Sequence, residues 1–192
     1  MALPLERTSD VTDEDEATLI AAAQRDPRAF GPLYHRYLAR VYRYVRAHTS
    51  SEDEAADLTQ QVFLQVLDAL PRYGMRGVPF AAWLFRIARH AVADRYRRQR
   101  APATIALDAL PDALHPMAGQ EPEADVLRRE ALAELHALLA ALDQEKRELL
   151  ALRFAGQLSS PEIAAVVGRS PAAVKKQLTR ILQSLKERYD AT

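Results

Sequence analysis

The chain of 192 residues contains no cysteine, so disulfides and thiolate metal sites are excluded, and a reducing compartment is compatible with it. It has no basic-then-apolar stretch at its start and no apolar run near the ~18 residues that a membrane helix needs. A cytoplasmic protein is the expectation. No glycine-rich phosphate loop and no Ser, Cys or Thr nucleophile signature occurs, and the histidines 35, 48, 90, 115 and 136 are scattered, none at metal-ligand spacing with another. No catalytic residue, metal or cofactor is therefore expected. Net charge is lacking too, since 26 Lys and Arg balance 26 Asp and Glu.

The balance hides segregation. Up to Phe30 there are seven acids against three bases, whereas Arg72–Arg100 holds eight arginines and one acid, Asp94. Segregated charge is compatible with nucleic-acid binding where a uniformly neutral surface is not.

Alternating strand patterns are also missing, and helical periodicity takes their place. Residues 13–26 form one helix. A second carries Phe30, Leu33, Tyr34, Tyr37, Leu38, Val41, Tyr42 and Val45 at steps of three and four. Residues 48–56 read as loop and cap, 55–70 as a third helix ending at Pro71, and 72–79 as irregular, with two glycines and a proline. The fourth helix starts near Pro79-Phe80, with Trp83, Leu84, Ile87, Ala91 and Val92 on its buried side. Residues 101–125 then bring four prolines and five acids without one Lys or Arg, the composition of a linker. Helical pattern resumes at 126–142, and Asp143 caps a further helix. The expected architecture is all-α: two helical domains joined by a flexible linker, the second ending in a helix-turn-helix. The boundaries are 12–100, 101–125 and 126–190.

The closing stretch LSSPEIAAVVGRSPAAVKKQLTRILQSLKERY contains Ser160-Pro161 and Ser170-Pro171, two helix starts ten residues apart. Serine caps a first turn, and proline in that turn sacrifices no bonded N–H. A short helix, a turn at Gly168-Arg169 and a second helix follow. In the second, Val174, Leu178, Ile181 and Leu185 form a buried stripe facing Ile163, Val166 and Val167. Ala172, Ala173, Lys175, Lys176, Thr179 and Arg180 are left outward, small residues and cations that suit a helix entering the major groove. A solvated helical hairpin is the plainer alternative. In the middle, Arg86, Arg89, His90 and Arg97 share a face with Asp94, and arginines interleaved with aromatics suit unpaired bases and phosphates. Phe80 and Trp83 read as core, leaving the loop Arg72–Pro79 for base contact. On the third helix Asp57, Gln60, Gln61, Gln65 and Asp68 form a polar face without cations, better suited to a protein partner than to DNA.

DLTQQVFLQVL followed by FAAWLFRIARHAVADRYRR resembles region two of the small bacterial sigma factors of the extracytoplasmic-function type (group IV). LDQEKRELLALRFAGQLSSPEIAAVVGRSPAAVKKQLTRILQSL is similar to their region four, and the order and acidic linker agree. The resemblance implies a sigma factor that binds core RNA polymerase and directs promoter-specific initiation. It places Asp57, Gln60, Gln61 and Phe63 against the β′ clamp helices of the core. It places Arg72, Tyr73 and Arg76 in a loop that captures a flipped −10 base, and Arg86, Arg89, His90, Arg97 and Arg98 on the helix that reads and clamps that element. Ser170, Ala172, Lys175, Lys176, Thr179 and Arg180 fall on the −35 reading helix, with Arg153 set for the neighbouring backbone. An anti-sigma factor is a further implied partner. His90 stands where the family often has Asn, and Gln177 and Leu182 where it commonly has Arg.

The linker bears on this reading. Sites two DNA turns apart are separated by ~70 Å, whereas a relaxed coil of this length covers only about 30 Å. Something else has to stretch it, and the polymerase surface is the natural support. The rival is a helix-turn-helix regulator without a sigma role, dimerising through its first domain and binding operators unaided.

Overall fold

The structure, a computed structural model, describes residues 10–74, 77–99, 134–135 and 137–190. The linker 101–125 and Arg76 lie outside them. Every regular element among the described residues is helical: α1 (Asp10–Arg25), α2 (Gly31–Arg46), α3 (Glu52–Ala69), α4 (Phe80–Gln99), α5 (Gln144–Leu150), α6 (Ser160–Val167) and α7 (Pro171–Tyr189). One 3-10 turn, Pro27–Phe30, precedes α2, and another, Leu70–Arg72, follows α3. Residues 137–140 are also helical, and α5 runs on into a π turn at Ala151–Ala155.

Local chemistry explains the boundaries. α3 begins three residues before Ala55, because Ser51 accepts a bond from the Glu54 amide and the acids Glu52, Asp53 and Glu54 occupy the first turn, where negative charge meets the positive end of the helix dipole. Asp143 caps α5 by accepting from the Lys146 amide at 2.9 Å. The first Ser-Pro start is shifted by one residue. Ser159, not Ser160, is the cap of α6, and its hydroxyl and the Glu162 carboxylate form a reciprocal capping box, with Pro161 in the first turn. Ser159→Ala is expected to cost about 1 kcal/mol, and Ser160→Ala only a few tenths, in urea unfolding. Ser170 caps α7 as the sequence indicates, accepting from the Ala173 amide at 3.2 Å. Between them Gly168 takes φ +72°, the left-handed conformation that favours glycine, and the Gly168 and Arg169 amides both close on the Ala164 carbonyl.

In the first module α2, α3 and α4 pack around Leu33, Tyr37, Val41, Val62, Val66, Phe80 and Leu84, with α1 contributing Ile20 and Ala23. Gln24 ties α1 down by donating to the carbonyls of Leu70 (3.0 Å) and Tyr73 (2.7 Å). In the second module Val174, Leu178, Ile181 and Leu185 are buried against Ile163 and Val166, the stripe expected from spacing.

The modules do not stand apart. α4 packs on α6, and α2 packs on the π turn, so the buried residues form one continuous core. This changes the burial expected for α2 and α4. Tyr44 and Phe85, outside the stripes read from the sequence, are fully buried, while Trp83 and Ile87 are only partly so. Each helix has a second neighbour, and an amphipathic pattern reports one covered face only. Gly156 marks the closeness, since a Cβ there would lie 2.8 Å from the Phe85 ring. Carbonyls left over at the end of the π turn are taken by cations of α2. Arg40 donates to Gly156 O (2.9 Å) and Gln157 O (3.1 Å), and Arg43 to Ala155 O (3.4 Å). Gln157 is held at φ +53° as the chain turns toward α6.

Candidate nucleic-acid and polymerase interface

On α7, burial of every third or fourth side chain turns Ala172, Lys175, Lys176, Thr179 and Arg180 outward, and all are exposed. The exposed Ser170 serves as the cap, so its hydroxyl is committed to the backbone. Thr179 donates to the Lys175 carbonyl at 3.0 Å. Arg153 is exposed at the π turn and donates to Leu158 O at 2.9 Å, bracing the chain ahead of the helix-turn-helix. Gln177 has a structural task. Its amide accepts from Arg169 (2.7 Å) and donates to Glu145 (2.9 Å), and Arg169 is itself paired with Glu145. The Gln177 bond and then the Arg169 bond hold Glu145 below the usual carboxylate range. An arginine at 177 could not both accept from Arg169 and donate to Glu145, so the neutral amide fits this clamp between α5 and α7. Leu182 is largely exposed.

On α4, Arg89, His90, Arg97 and Arg98 are exposed, with Arg97 paired to Asp94. Arg86 is not. Its guanidinium donates twice to the Ala165 carbonyl on α6, at 2.8 and 2.5 Å. Arg89 lies 3.4 Å from the carboxylate of Glu148 on α5. Two side chains expected on DNA are thus turned to the second module, and His90 borders the cleft between the modules.

Arg72 is exposed at the loop after α3, but Tyr73 belongs to the core. It packs on Phe80 and Trp83 with ring centres 5.4 and 4.8 Å away, and its hydroxyl donates to Val78 O at 2.8 Å. It underlies the loop from the core side. With Gly77, whose φ is +98°, it borders a recess of about 380 Å³ also lined by Glu16, Ile20, Val78 and Phe80. Glu16 accepts from the Tyr37 hydroxyl at 2.5 Å, and burial together with that carboxylate pushes the Tyr37 phenol well above its ordinary range.

On α3, Asp57, Gln60, Gln65 and Asp68 are exposed and Gln61 partly so, one polar face as expected. Phe63 is not on it. At 5% exposure it stacks edge-on to Tyr34 (4.7 Å) and Phe30 (6.3 Å), inside the module. The apolar side chain offered beside Gln60 and Gln61 is Leu64, 64% exposed, which period alone would have placed next to them. A large apolar group at that exposure, flanked by polar neighbours, is what a protein-docking face presents.

One cluster had no sequence signal. Glu148, on α5, accepts from the Tyr44 hydroxyl (2.8 Å) and meets His48 Nε2 (3.0 Å) and Arg89, joining residues far apart in the sequence. Among the described residues no group of three or more His, Cys, Asp or Glu could hold a metal, and no helix is long and apolar enough to cross a membrane.

Comparison with known proteins agrees with this geometry. Residues 33–101 match the family Sigma-70 region 2, and residues 132–185 match Sigma-70, region 4. The chain is 34% identical over 176 residues to the ECF RNA polymerase sigma factor SigD of Mycobacterium tuberculosis, covering 90% of this chain and 82% of that protein. It is 36% identical to the ECF RNA polymerase sigma factor ShbA of Streptomyces griseus, covering 90% and 96%. Among solved structures, CnrH in complex with the cytosolic domain of CnrY aligns with a TM-score of 0.60 at 30% identity, covering 91% of this chain and 96% of that one. Two region matches in order, and relatives matched over most of their length, place this chain in the extracytoplasmic-function family of RNA polymerase sigma factors.

Proposed function

We propose that this sigma factor, which directs promoter-specific initiation by RNA polymerase, reads the −10 element with residues of 12–100 and the −35 element with residues of 126–190. The −35 contact falls to Lys175, Lys176, Thr179 and Arg180 on α7, with Ala172 allowing close approach and Arg153 near the backbone. Arg89, His90, Arg97 and Arg98 serve the −10 side, joined by Arg86 once it leaves Ala165. Arg72 and Arg76 belong to the loop expected to capture an unstacked base, with the recess beside Tyr73 as its receptacle; extrusion of the base costs a few kcal/mol. Asp57, Gln60 and Gln61, with Leu64 in the place expected for Phe63, dock on the clamp helices of the core. The protein works as a binding subunit in the cytoplasm and not as an enzyme. CnrH was solved with CnrY, and an anti-sigma partner is proposed here by the same likeness.

The observation that carries the reading is the capped helix-turn-helix whose second helix buries Val174, Leu178, Ile181 and Leu185 and leaves Lys175, Lys176 and Arg180 outward. The test is reconstituted transcription. Core polymerase plus this chain is expected to start at defined promoters, with neither alone sufficient. Tight operator binding by the isolated chain as a dimer, with no gain in defined starts on adding core, would favour the regulator reading.

A further inference from the structure

Glu16 places a carboxylate on the side of α1 that faces the first module. It stands one turn before the buried Ile20 and two turns before Gln24, whose bonds to Leu70 and Tyr73 fix the helix. Its Oε1 accepts from the Tyr37 hydroxyl at 2.5 Å, and the Arg36 guanidinium lies 3.7 Å from the same oxygen. Burial, and then the Glu16 carboxylate, push the Tyr37 phenol well above its ordinary range, so it remains a donor and keeps Oε1 occupied. Both polar contacts of the Glu16 side chain among the described residues thus fall on Oε1. Satisfying a buried hydroxyl takes one oxygen, and a carboxylate has two. Oε2 is left for an occupant of the recess of about 380 Å³ that Glu16 lines. The other side chains around that recess are Ala17, Ile20, Val78, Pro79, Phe80 and Tyr73, and the Tyr73 hydroxyl is already committed to Val78 O at 2.8 Å. An apolar recess with one convergent acceptor is a site that orients a ligand by its donor.

We propose that Glu16 is a specificity-determining residue of this recess: it accepts from the exocyclic amine of an unstacked base and so selects an amine-bearing base, cytosine above thymine. The inference rests on the recess being the base receptacle proposed above. An ionised carboxylate only accepts. Cytosine presents its N4 amine as a donor, whereas thymine presents the O4 acceptor in the same place. Carboxylate and O4 would face each other as two acceptors, and among apolar walls neither finds a substitute partner, so the mismatch is penalised more heavily than it would be in water. Cytosine and thymine have the same ring size, so the comparison isolates the amine from the fit.

Tyr37 makes the prediction for an amide specific. In Glu16→Gln the Tyr37 hydroxyl still donates to the one side-chain oxygen, which turns the NH2 group toward the recess. A donor in place of an acceptor favours O4 over an amine, so the preference should pass from cytosine to thymine. Loss of the negative charge favours every DNA sequence alike, and the ratio between bases is therefore the quantity to read, not the yield.

The test uses holoenzyme, core polymerase with the full chain, on a promoter library randomised across the −10 element, and counts starts by sequencing the transcripts. At one −10 position cytosine is expected to outrank thymine by about 10- to 100-fold, the range for a hydrogen bond to a charged group. Glu16→Gln is expected to reverse that ratio at the same position and to leave the preferences at other positions standing. Tyr37→Phe removes the bond to Glu16 but keeps the carboxylate, and should keep the preference for cytosine. With the unsubstituted chain, 2-pyrimidinone (cytosine without its amine) placed at that position should lose the same factor as thymine, a result independent of whether any variant folds. No −10 position favouring cytosine over thymine, a ratio in Glu16→Gln within about twofold of the unsubstituted one, an equal loss in Tyr37→Phe, or 2-pyrimidinone serving as well as cytosine would each overturn the proposal. Defined starts without the base preference would overturn this inference alone, whereas no defined start from any member of the library would overturn the proposed function and this inference with it.

Discussion

Phe85→Ala is expected to lower stability by about 3–5 kcal/mol, the range for a fully buried phenylalanine cut to alanine. Phe85 is 0% exposed and stands at the seam of the two modules. Its ring meets Tyr44 edge-on at 5.4 Å, carries the Arg40 guanidinium 5.8 Å from its centre, and closes against Gly156. Truncation removes the transfer energy of the ring, an aromatic pair of about 0.5–1.5 kcal/mol, and the dispersion attraction felt by every atom lining the void. The neighbours come from α2, α4 and the π turn, so the void opens between modules, and collapse to fill it would require their relative shift. Urea unfolding checks this, with Phe85→Leu as the milder companion. A loss below about 1 kcal/mol for the alanine variant would mean that the seam is not packed. A fall in the urea dependence, with two separate transitions, would show that the modules had uncoupled.

Replacing Lys175, Lys176 and Arg180 together by alanine is expected to weaken binding of the holoenzyme to a promoter by about 100-fold or more, since each side chain that reads a base edge is worth roughly 1–3 kcal/mol and one that meets a phosphate is worth less. All three lie on the exposed side of α7, and the buried stripe is untouched, so folding stability should move by no more than about 0.5 kcal/mol. The diagnostic is salt. Each phosphate neutralised contributes about 0.9 to the slope of log affinity against log salt, so the slope should become shallower by about 2–3. A slope equal to that of the unsubstituted protein would remove these residues from the DNA surface. Gln177→Ala is a useful contrast, because its bonds run to Arg169 and Glu145.

Much of the fold was legible because its signals are local. Ser170-Pro171, Asp143 and Gly168 mark helix ends through the bonds of a single turn, and Val174 to Leu185 announces its buried stripe through spacing. Errors arose where a neighbouring residue could do the same work. Ser159 and Ser160 both precede proline closely enough to cap, and only the capping box with Glu162 distinguishes them. Phe63 and Leu64 are adjacent apolar residues on α3, and a shift of one position on a helix turns a side chain through about 100°. Tyr73, judged from its place in a glycine-bearing loop, is drawn inward by Phe80 and Trp83.

By itself, then, the amino-acid order determined an all-helical chain, its helix-turn-helix, the outward cations of α7 and the polar face of α3, because caps, turns and periodicity act over a few residues. Only the tertiary structure decided that the two modules close on each other, that Arg86 and Arg89 are held by Ala165 and Glu148, and that Tyr44, His48 and Phe85 are buried at the seam. These pairings join positions about 60 to 100 apart, and each depends on a cavity and a dielectric that exist only once both modules are folded and packed together.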